Sequence, residues 1–246
     1  MTEKQIKSKD RVAEHGEVFT ADREVEAMLD LVKDETERID STFLEPACGE
    51  GAFLIKILHR KLTVIQKQYG RNESDYERNS IIALTSLYGI DIMADNAENC
   101  RQRLFSYWNE QYTASCKSIA REAVRGAARY ILQKNILVGN ALSLKMVDDK
   151  QQDTDKPIIF AEWSMVTGTK IKRRDFRLDV VLKAEEDFAK VKEKKSVVKY
   201  SLFGNDENDI SSFENYDIDP NTHEIIPKPL KTYKLVNYWE VQNNGE

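Results

Sequence analysis

Short apolar runs alternate with long amphipathic stretches over the first two thirds of the chain. Four short runs have the length and residue types of buried strands, at 42–46, 88–91, 136–138 and 157–161. Apolar residues recur at helical spacing over 20–32, 52–69 and 94–134, the last interrupted near 113–118. This alternation predicts an α/β fold with a mostly parallel sheet that ends after its fourth or fifth strand.

The pattern is weaker elsewhere. Polar residues 70–80 indicate a loop, 81–86 a further helical turn, 178–195 a helix, and 232–241 a closing strand. We therefore divide the chain into three parts. These are a helical lead-in (1–40), an α/β domain (41–165), and a C-terminal helix and tail that are a candidate docking region for a partner (166–246).

Composition narrows the class of protein. The 246 residues are 41% hydrophobic and 32% charged, which supports a buried core, and no apolar run reaches the length of a membrane span. The N-terminal stretch lacks the apolar segment of a secretory signal, so we expect a soluble cytoplasmic protein. Three cysteines and three scattered histidines give neither a disulfide framework nor a metal motif.

The net charge of −5 disfavours a stand-alone DNA-binding protein, because neutralising many phosphates requires a basic surface. One local exception is the basic run 170–177, with five cations in eight residues. A phosphate contact, an acidic partner and a solvated surface without a specific role all remain open for this run.

A glycine turn follows the first predicted strand. Glu45-Pro46-x-x-Gly49-x-Gly51 leads straight into a helix, so the backbone can turn sharply and bring helix N–H groups close to a ligand. Asp91 ends the second predicted strand, where a carboxylate can accept both hydroxyls of a ribose. Asn140 follows the third, where a carboxamide can bind an adenine edge. Together these side chains predict a nucleoside site.

The residues at these strand ends resemble a known family. Residues 43–54 (FLEPACGEGAFL) resemble motif I of the adenine-specific DNA methyltransferases of restriction–modification systems. Residues 88–92 (YGIDI) resemble motif II and residues 138–142 (VGNAL) motif III, in the family's order. Residues 15–20 resemble the segment that covers the methionine end of the cofactor, although Ala21 stands where the family usually has proline.

This resemblance implies a Rossmann-like class I methyltransferase fold and S-adenosylmethionine as the cofactor. It places Asp91 at the ribose, Ile92 beside the adenine ring, Asn140 near the adenine amino group and Glu45 near the cofactor's ammonium. The implied cofactor-binding residues are Thr20, Glu45, Pro46, Ala47, Gly49, Gly51, Asp91, Ile92, Asn140 and Ala141. A nicotinamide dinucleotide is disfavoured, since Gly-x-Gly-x-x-Gly is absent.

The family's catalytic motif, Asn/Asp/Ser-Pro-Pro-aromatic, is missing from this sequence. Where the fourth strand would end, the chain has Glu162-Trp163-Ser164, and no two of its five prolines are adjacent. In the family, that motif holds the adenine amino group and stacks on the flipped base. The catalytic residues are therefore unassigned, with Glu162 and Trp163 as weak candidates.

Three interpretations follow from this combination. The chain is the cofactor-binding subunit of a split adenine methyltransferase, whose partner polypeptide supplies the catalytic motif and DNA recognition. Alternatively, it is an inactive relative that acts as a regulatory or anti-restriction binding protein. In the third interpretation, Glu162-Trp163-Ser164 forms a divergent acceptor site, with Trp163 stacking on a substrate and Glu162 taking a proton.

Overall fold

The computed structural model describes residues 20–183, 215–218 and 225–244. Six α-helices lie wholly within these residues: α1 (Asp22–Asp30), α2 (Lys33–Thr36), α3 (Ala52–Tyr69), α4 (Glu73–Thr85), α5 (Ala94–Ser115) and α6 (Glu122–Asn135). The first seven strands are β1 (Phe43–Glu45), β2 (Leu87–Asp91), β3 (Ile136–Val138), β4 (Lys145–Val147), β5 (Asp153–Pro157), β6 (Ile159–Thr167) and β7 (Lys170–Arg177). Four short strands and a 3₁₀ helix follow: β8 (Tyr216–Ile218), β9 (Ile225–Pro227), β10 (Lys231–Thr232), β11 (Val236–Asn237) and the 3₁₀ helix (Tyr238–Asn243).

A three-stranded parallel sheet in the order β1-β2-β3 is the centre of an α/β fold. Helices α3 and α4 connect β1 to β2, and helices α5 and α6 connect β2 to β3. Such helical crossovers are what parallel neighbours require. Because all three strands run the same way, their carboxyl ends at Glu45, Asp91 and Val138 meet at one edge of the sheet.

The helices pack on the sheet through a continuous apolar core. From α3 it includes the predicted stripe residues Ile57, Leu58, Leu62 and Ile65, while predicted Phe53 is only partly buried and its neighbour Leu54 is fully buried. Trp108 and Tyr112 on α5 are fully buried and stack with ring centroids 4.7 Å apart. The two predicted helices of 94–134 and the intervening break are confirmed.

The expected loop at 70–80 is wrong, because α4 begins at Glu73. The Asn72 side chain accepts hydrogen bonds from the backbone N–H groups of Ser74 and Asp75, which caps the helix. Glu73 and Asp75 in the first turn also favour the positive end of the helix. The polar residues of this stretch therefore mark the start of a helix.

The predicted fourth strand exists but does not join the parallel sheet. β6 pairs antiparallel with β7, and β10 and β11 pair antiparallel with β7. The physical reason is the connection. The chain between β3 and β6 forms the β4–β5 hairpin, so it lacks the crossover helix that a fourth parallel strand requires. The expected domain boundary at residue 165 lies inside β6.

The antiparallel sheet covers the parallel sheet through Tyr88. The Tyr88 hydroxyl donates to the Ala161 carbonyl at 2.8 Å, and its ring meets Phe160 edge-on, with centroids 5.1 Å apart. The expected strand at 232–241 is confirmed only in part: Thr232 and residues 236–237 lie in short strands, and residues 238–241 form the start of the 3₁₀ helix. Residues 178–183 are helical, and the rest of the helix predicted to 195 lies outside the described residues.

Candidate functional site at the carboxyl edge of the parallel sheet

The glycine loop connects the end of β1 to the start of α3. The Cys48 N–H donates to the Ile90 carbonyl at 2.9 Å, and the Gly51 N–H donates to the Cys48 carbonyl at 2.8 Å. Gly49 and Gly51 both have positive φ, +52° and +82°, a conformation that strains residues with a Cβ. Glycine at both positions lets the chain reverse within a few residues and enter α3.

The two glycines serve different purposes. A Cβ added at Gly49 would meet no atom within 4 Å, so this glycine borders open space. A Cβ at Gly51 would lie 2.7 Å from the Cys100 sulfur, so this glycine allows close packing of the loop on α5. Gly49 is therefore the position where a ligand can approach the backbone closely.

Asp91 connects the glycine loop to the start of α5. Its carboxylate accepts hydrogen bonds from the backbone N–H groups of Gly49 and Met93, both at 2.8 Å, and from the Asn96 side chain at 3.3 Å. Only 8% of Asp91 is exposed. A carboxylate has about four acceptor positions, and three are occupied here. Two ribose hydroxyls can bind only if one of these contacts is released.

The loop has an acidic environment. Burial raises the pKa of Glu45, although the Ala47 N–H donates to its carboxylate and opposes that rise. Glu50 accepts a hydrogen bond from Asn99 at 3.0 Å. Arg103 directs its guanidinium to the Glu50 carbonyl oxygen, at 2.8 Å. Over the described residues, the side chains of Glu45, Glu50 and Asp91 give the loop an acidic character, which favours a cationic ligand over a phosphate.

Cys48 is a packing residue in this loop, as its small size suggests. It is buried, and a hydrogen bond to the neighbouring Cys100 thiol, together with burial, raises the pKa of Cys48 far above its ordinary value. Such a thiol is not a nucleophile.

Asn140 forms a turn rather than presenting a free amide. Its Oδ1 accepts from the backbone N–H groups of Leu142 and Ser143, and its Nδ2 donates to Asp153 at 3.0 Å. The carboxamide therefore fixes the β4–β5 hairpin next to the end of β3. Half-buried Ala141 lies in the same turn.

The other implied cofactor residues are placed as follows. Ile92 is half-buried and follows Asp91 directly, beside the glycine loop that Asp91 contacts. Pro46 and Ala47 are exposed in the loop. Thr20 is half-buried but does not cap α1, whose N-cap is Ala21. The segment 15–19 lies outside the described residues.

The structure does not bring Glu162 and Trp163 together, since they alternate along β6 and project to opposite faces. Trp163 donates to the Asn135 side chain at 2.9 Å within the core side of the sheet. Burial acts to raise the pKa of Glu162, but hydrogen bonds from Arg174 and Ser164 outweigh it and hold that pKa below its usual value. A carboxylate so paired is a weak proton acceptor.

The basic run 170–177 coincides with β7, and most of its charge is neutralised within the chain. Arg173 pairs with Asp175, Arg174 with Glu162 and Arg177 with Asp179, at 2.6 to 2.8 Å. Three of its five cations are thus already engaged, which weakens the case for a phosphate contact at this run.

Two residues that shape the loop, Asn96 and Cys100, are not among those that the sequence motifs predict. Both lie on the buried face of α5, four residues apart, and they contact Asp91 and Gly51. Their spacing, repeated at Leu104, was the available signal. A polar side chain and a thiol on an otherwise apolar stripe indicate a contact with something other than the core.

Comparison with protein-family models, with curated proteins and with solved structures finds no match for this chain. Over the described residues, no cluster of three or more His, Cys, Asp or Glu side chains has the arrangement of a metal site. In that same part of the chain, every helix is too short or too polar to cross a membrane.

Proposed function

We propose that this chain is the S-adenosylmethionine-binding subunit of a split adenine-specific DNA methyltransferase of a restriction–modification or phage-defence system. Its fold would be a Rossmann-like class I methyltransferase fold in which the described residues supply three strands of the parallel sheet. A partner polypeptide would supply the catalytic motif and DNA recognition, so this chain would meet DNA only within the complex.

One observation carries the proposal. The left-handed turn at Gly49 faces open space at the carboxyl edge of a parallel sheet, and the acid of the next strand holds it. Ligands of open α/β sheets bind at this edge. The acidic surroundings add chemical selectivity, because S-adenosylmethionine carries a sulfonium and an ammonium, whereas dinucleotides carry phosphates.

Each residue has a definite task under this proposal. Gly49 admits the cofactor next to the backbone, Asp91 accepts a ribose hydroxyl, and Ile92 supplies an apolar surface for the adenine ring. Glu45 attracts the ammonium group. The bound cofactor supplies an electrophilic methyl group, and the protein's own contribution is to orient it toward the acceptor that the partner presents.

The alternative function is a binding protein without catalysis, of the regulatory or anti-restriction type. It is favoured by the intrachain bonds of Asp91 and Asn140, which occupy the atoms that a cofactor would use. Under this alternative the glycine loop is a structural remnant, and the chain acts through protein contacts alone.

The test uses two glycines with matched geometry. Gly49 and Gly168 have φ of +52° and +54°, and a Cβ at either position meets nothing within 4 Å. Asparagine tolerates this conformation, so both variants should fold. Calorimetric titration with S-adenosylmethionine should show binding for wild type and Gly168→Asn. Gly49→Asn should weaken it by at least about tenfold, because its side chain fills the proposed site.

Two results would count against the proposal. Equal affinities of the two variants for S-adenosylmethionine would mean that any cofactor site lies away from Gly49. No binding by folded wild-type chain would favour the binding-protein alternative.

A further inference from the structure

The parallel sheet has two outer strands, β1 and β3, and they differ in how far their outward backbone groups are engaged. The Phe43 N–H donates to the Ser86 carbonyl at 2.9 Å, toward β2. Successive residues of a strand point their backbone groups in opposite directions, so Leu44 directs its N–H and C=O away from β2. Over residues 20–183, 215–218 and 225–244, no strand pairs with this side of β1.

Over the described residues no strand pairs with the outer side of β3 either, but that edge is partly occupied. Gly139 donates to the Asp91 carbonyl, so alternation turns Ile136 away from β2. There Arg101 donates to the Ile136 carbonyl at 2.7 Å, and the β4–β5 hairpin follows. Proteins cover sheet edges in this way to prevent pairing with other chains. Arg101 thus engages part of the β3 edge, whereas an apolar groove lies beside β1, so we take β1 as the edge for pairing.

An apolar groove lies beside the open edge, on the face of the sheet that carries Leu44. Its volume is about 530 Å³, and Leu44 is 37% exposed. The apolar side chains that line it include Leu44, Tyr88, Phe160, Phe176 and Leu178. A strand added at β1 would direct every second side chain toward this groove.

The chain leading into this edge is acidic. Residues 22–45 contain nine acids and three bases. Lys56 and Arg60 on α3 pair with Asp22, Glu26 and Asp30, and Lys61 donates to carbonyls of the same segment, yet acids still outnumber bases by nine to six. This charge favours a basic occupant. It also disfavours a second copy of the chain, which would bring an equally acidic segment to the edge.

We infer that the open edge of β1 binds a β-strand of the partner polypeptide, with apolar side chains at alternate positions and lysine or arginine at its ends. The identity of the partner as the chain with the catalytic motif rests on the proposed function. The strand pairing itself rests on the edge, the groove and the charge. Main-chain hydrogen bonds to Leu44 supply affinity, and the groove supplies specificity.

The test uses a fluorescent peptide that alternates valine with threonine between pairs of lysines, and a second peptide with glutamates in place of the lysines. The lysine peptide should bind at least about tenfold more tightly than the glutamate peptide. It should also slow hydrogen exchange of the Leu44 amide. Leu44→Lys should abolish binding, because a lysine on the edge repels the peptide and blocks pairing.

The control is Leu142→Lys, which changes a more exposed leucine (96% exposed, against 37% for Leu44) at the other side of the sheet and should leave binding intact. Three results would overturn the inference. They are no binding of the lysine peptide, slow exchange at Leu44 in the isolated chain, and a homodimer in light scattering that Leu44→Lys dissociates.

S-adenosylmethionine titration separates this inference from the proposed function. If the chain binds the cofactor but not the lysine peptide, the proposed function stands and the inference of strand pairing at β1 fails. If the chain binds the peptide but not the cofactor, the inference of strand pairing stands, but the partner is no longer identified as the chain with the catalytic motif.

Discussion

At the scale of single residues, the two loop glycines carry different constraints that stability measurements can separate. Gly51→Ala places a Cβ at φ +82° and 2.7 Å from the Cys100 sulfur, whereas Gly49→Ala meets only the strained φ. We expect Gly49→Ala to cost about 1–2 kcal/mol of unfolding free energy in urea, and Gly51→Ala more.

A double variant isolates the source of the difference. Adding Cys100→Ala to Gly51→Ala should recover part of the excess loss, because it removes the sulfur but leaves the strained backbone. Equal losses for the two single glycine variants would show that close packing on α5 does not constrain Gly51.

Lys61 gives the chain a pH-dependent stability. Its ammonium donates to the carbonyls of Ile39 and Ser41 and to the Ser86 hydroxyl, yet it is fully buried. Burial outweighs these acceptors and lowers the pKa of Lys61 from 10.5 to about 7. Between these values the unfolded chain keeps a proton that the folded chain has released, so raising the pH favours folding.

We therefore expect the unfolding free energy of wild type to rise between pH 7 and pH 10 relative to Lys61→Met. The slope of the difference should reach at most about 1.4 kcal/mol per pH unit. Urea unfolding at several pH values measures it. Parallel curves for the two proteins would show that Lys61 keeps its ordinary pKa.

At the scale of elements, buried Glu77 on α4 attaches the 3₁₀ helix to the core. Its carboxylate accepts hydrogen bonds from Tyr112, Arg121 and Tyr238, each at 2.7 Å. We expect Tyr238→Phe to cost about 1–2 kcal/mol, and Glu77→Ala about 3–5 kcal/mol because it leaves the network without its acceptor. Urea unfolding measures both.

Hydrogen exchange in the 3₁₀ helix locates the effect. Tyr238→Phe should speed exchange at Val241 while leaving exchange in α5 unchanged. A uniform change over the chain would mean that the 3₁₀ helix unfolds only together with the core.

The helices and strands also show which elements could be predicted from the sequence and which could not. Periodicity over 52–69 predicts α3 with its bounds, because the helix packs one apolar stripe on the sheet. It fails at 70–80, where the Asn72 cap rather than apolar spacing begins α4. It also fails at the fourth strand. The apolar run predicts the strand that becomes β6. Its antiparallel pairing with β7 depends on the β4–β5 hairpin connection, which has no apolar pattern.

The candidate site shows a similar division. The motif identifies Gly49, Gly51 and Asp91 as neighbours, and the structure brings them together. The sequence does not reveal that the side chains of Asp91 and Asn140 already form hydrogen bonds within the chain. Those bonds depend on the backbone N–H groups of Met93 and Leu142, whose directions are set only when the turns form.

At the scale of the whole molecule, the proposed function would place the donor half and the acceptor half of the reaction on different chains. The described residues hold a loop suited to a cationic nucleoside, while the sequence has no adjacent prolines to orient an adenine. We therefore expect the purified chain to bind S-adenosylmethionine but to transfer no methyl group to DNA. Incubation of DNA with radiolabelled S-adenosylmethionine measures the transfer.

Adding the proposed partner chain should change only the methyl-transfer step and not the binding of S-adenosylmethionine. With the chain that carries the catalytic motif, methyl incorporation should appear and should be lost with Gly49→Asn but not with Gly168→Asn, since only the first fills the open side of the loop. Leu44→Lys should lower incorporation through the affinity of the two chains, so excess partner should restore it. Excess partner should not restore Gly49→Asn, because that variant lacks the methyl donor. Methylation of DNA by this chain alone would refute the division of labour between two polypeptides.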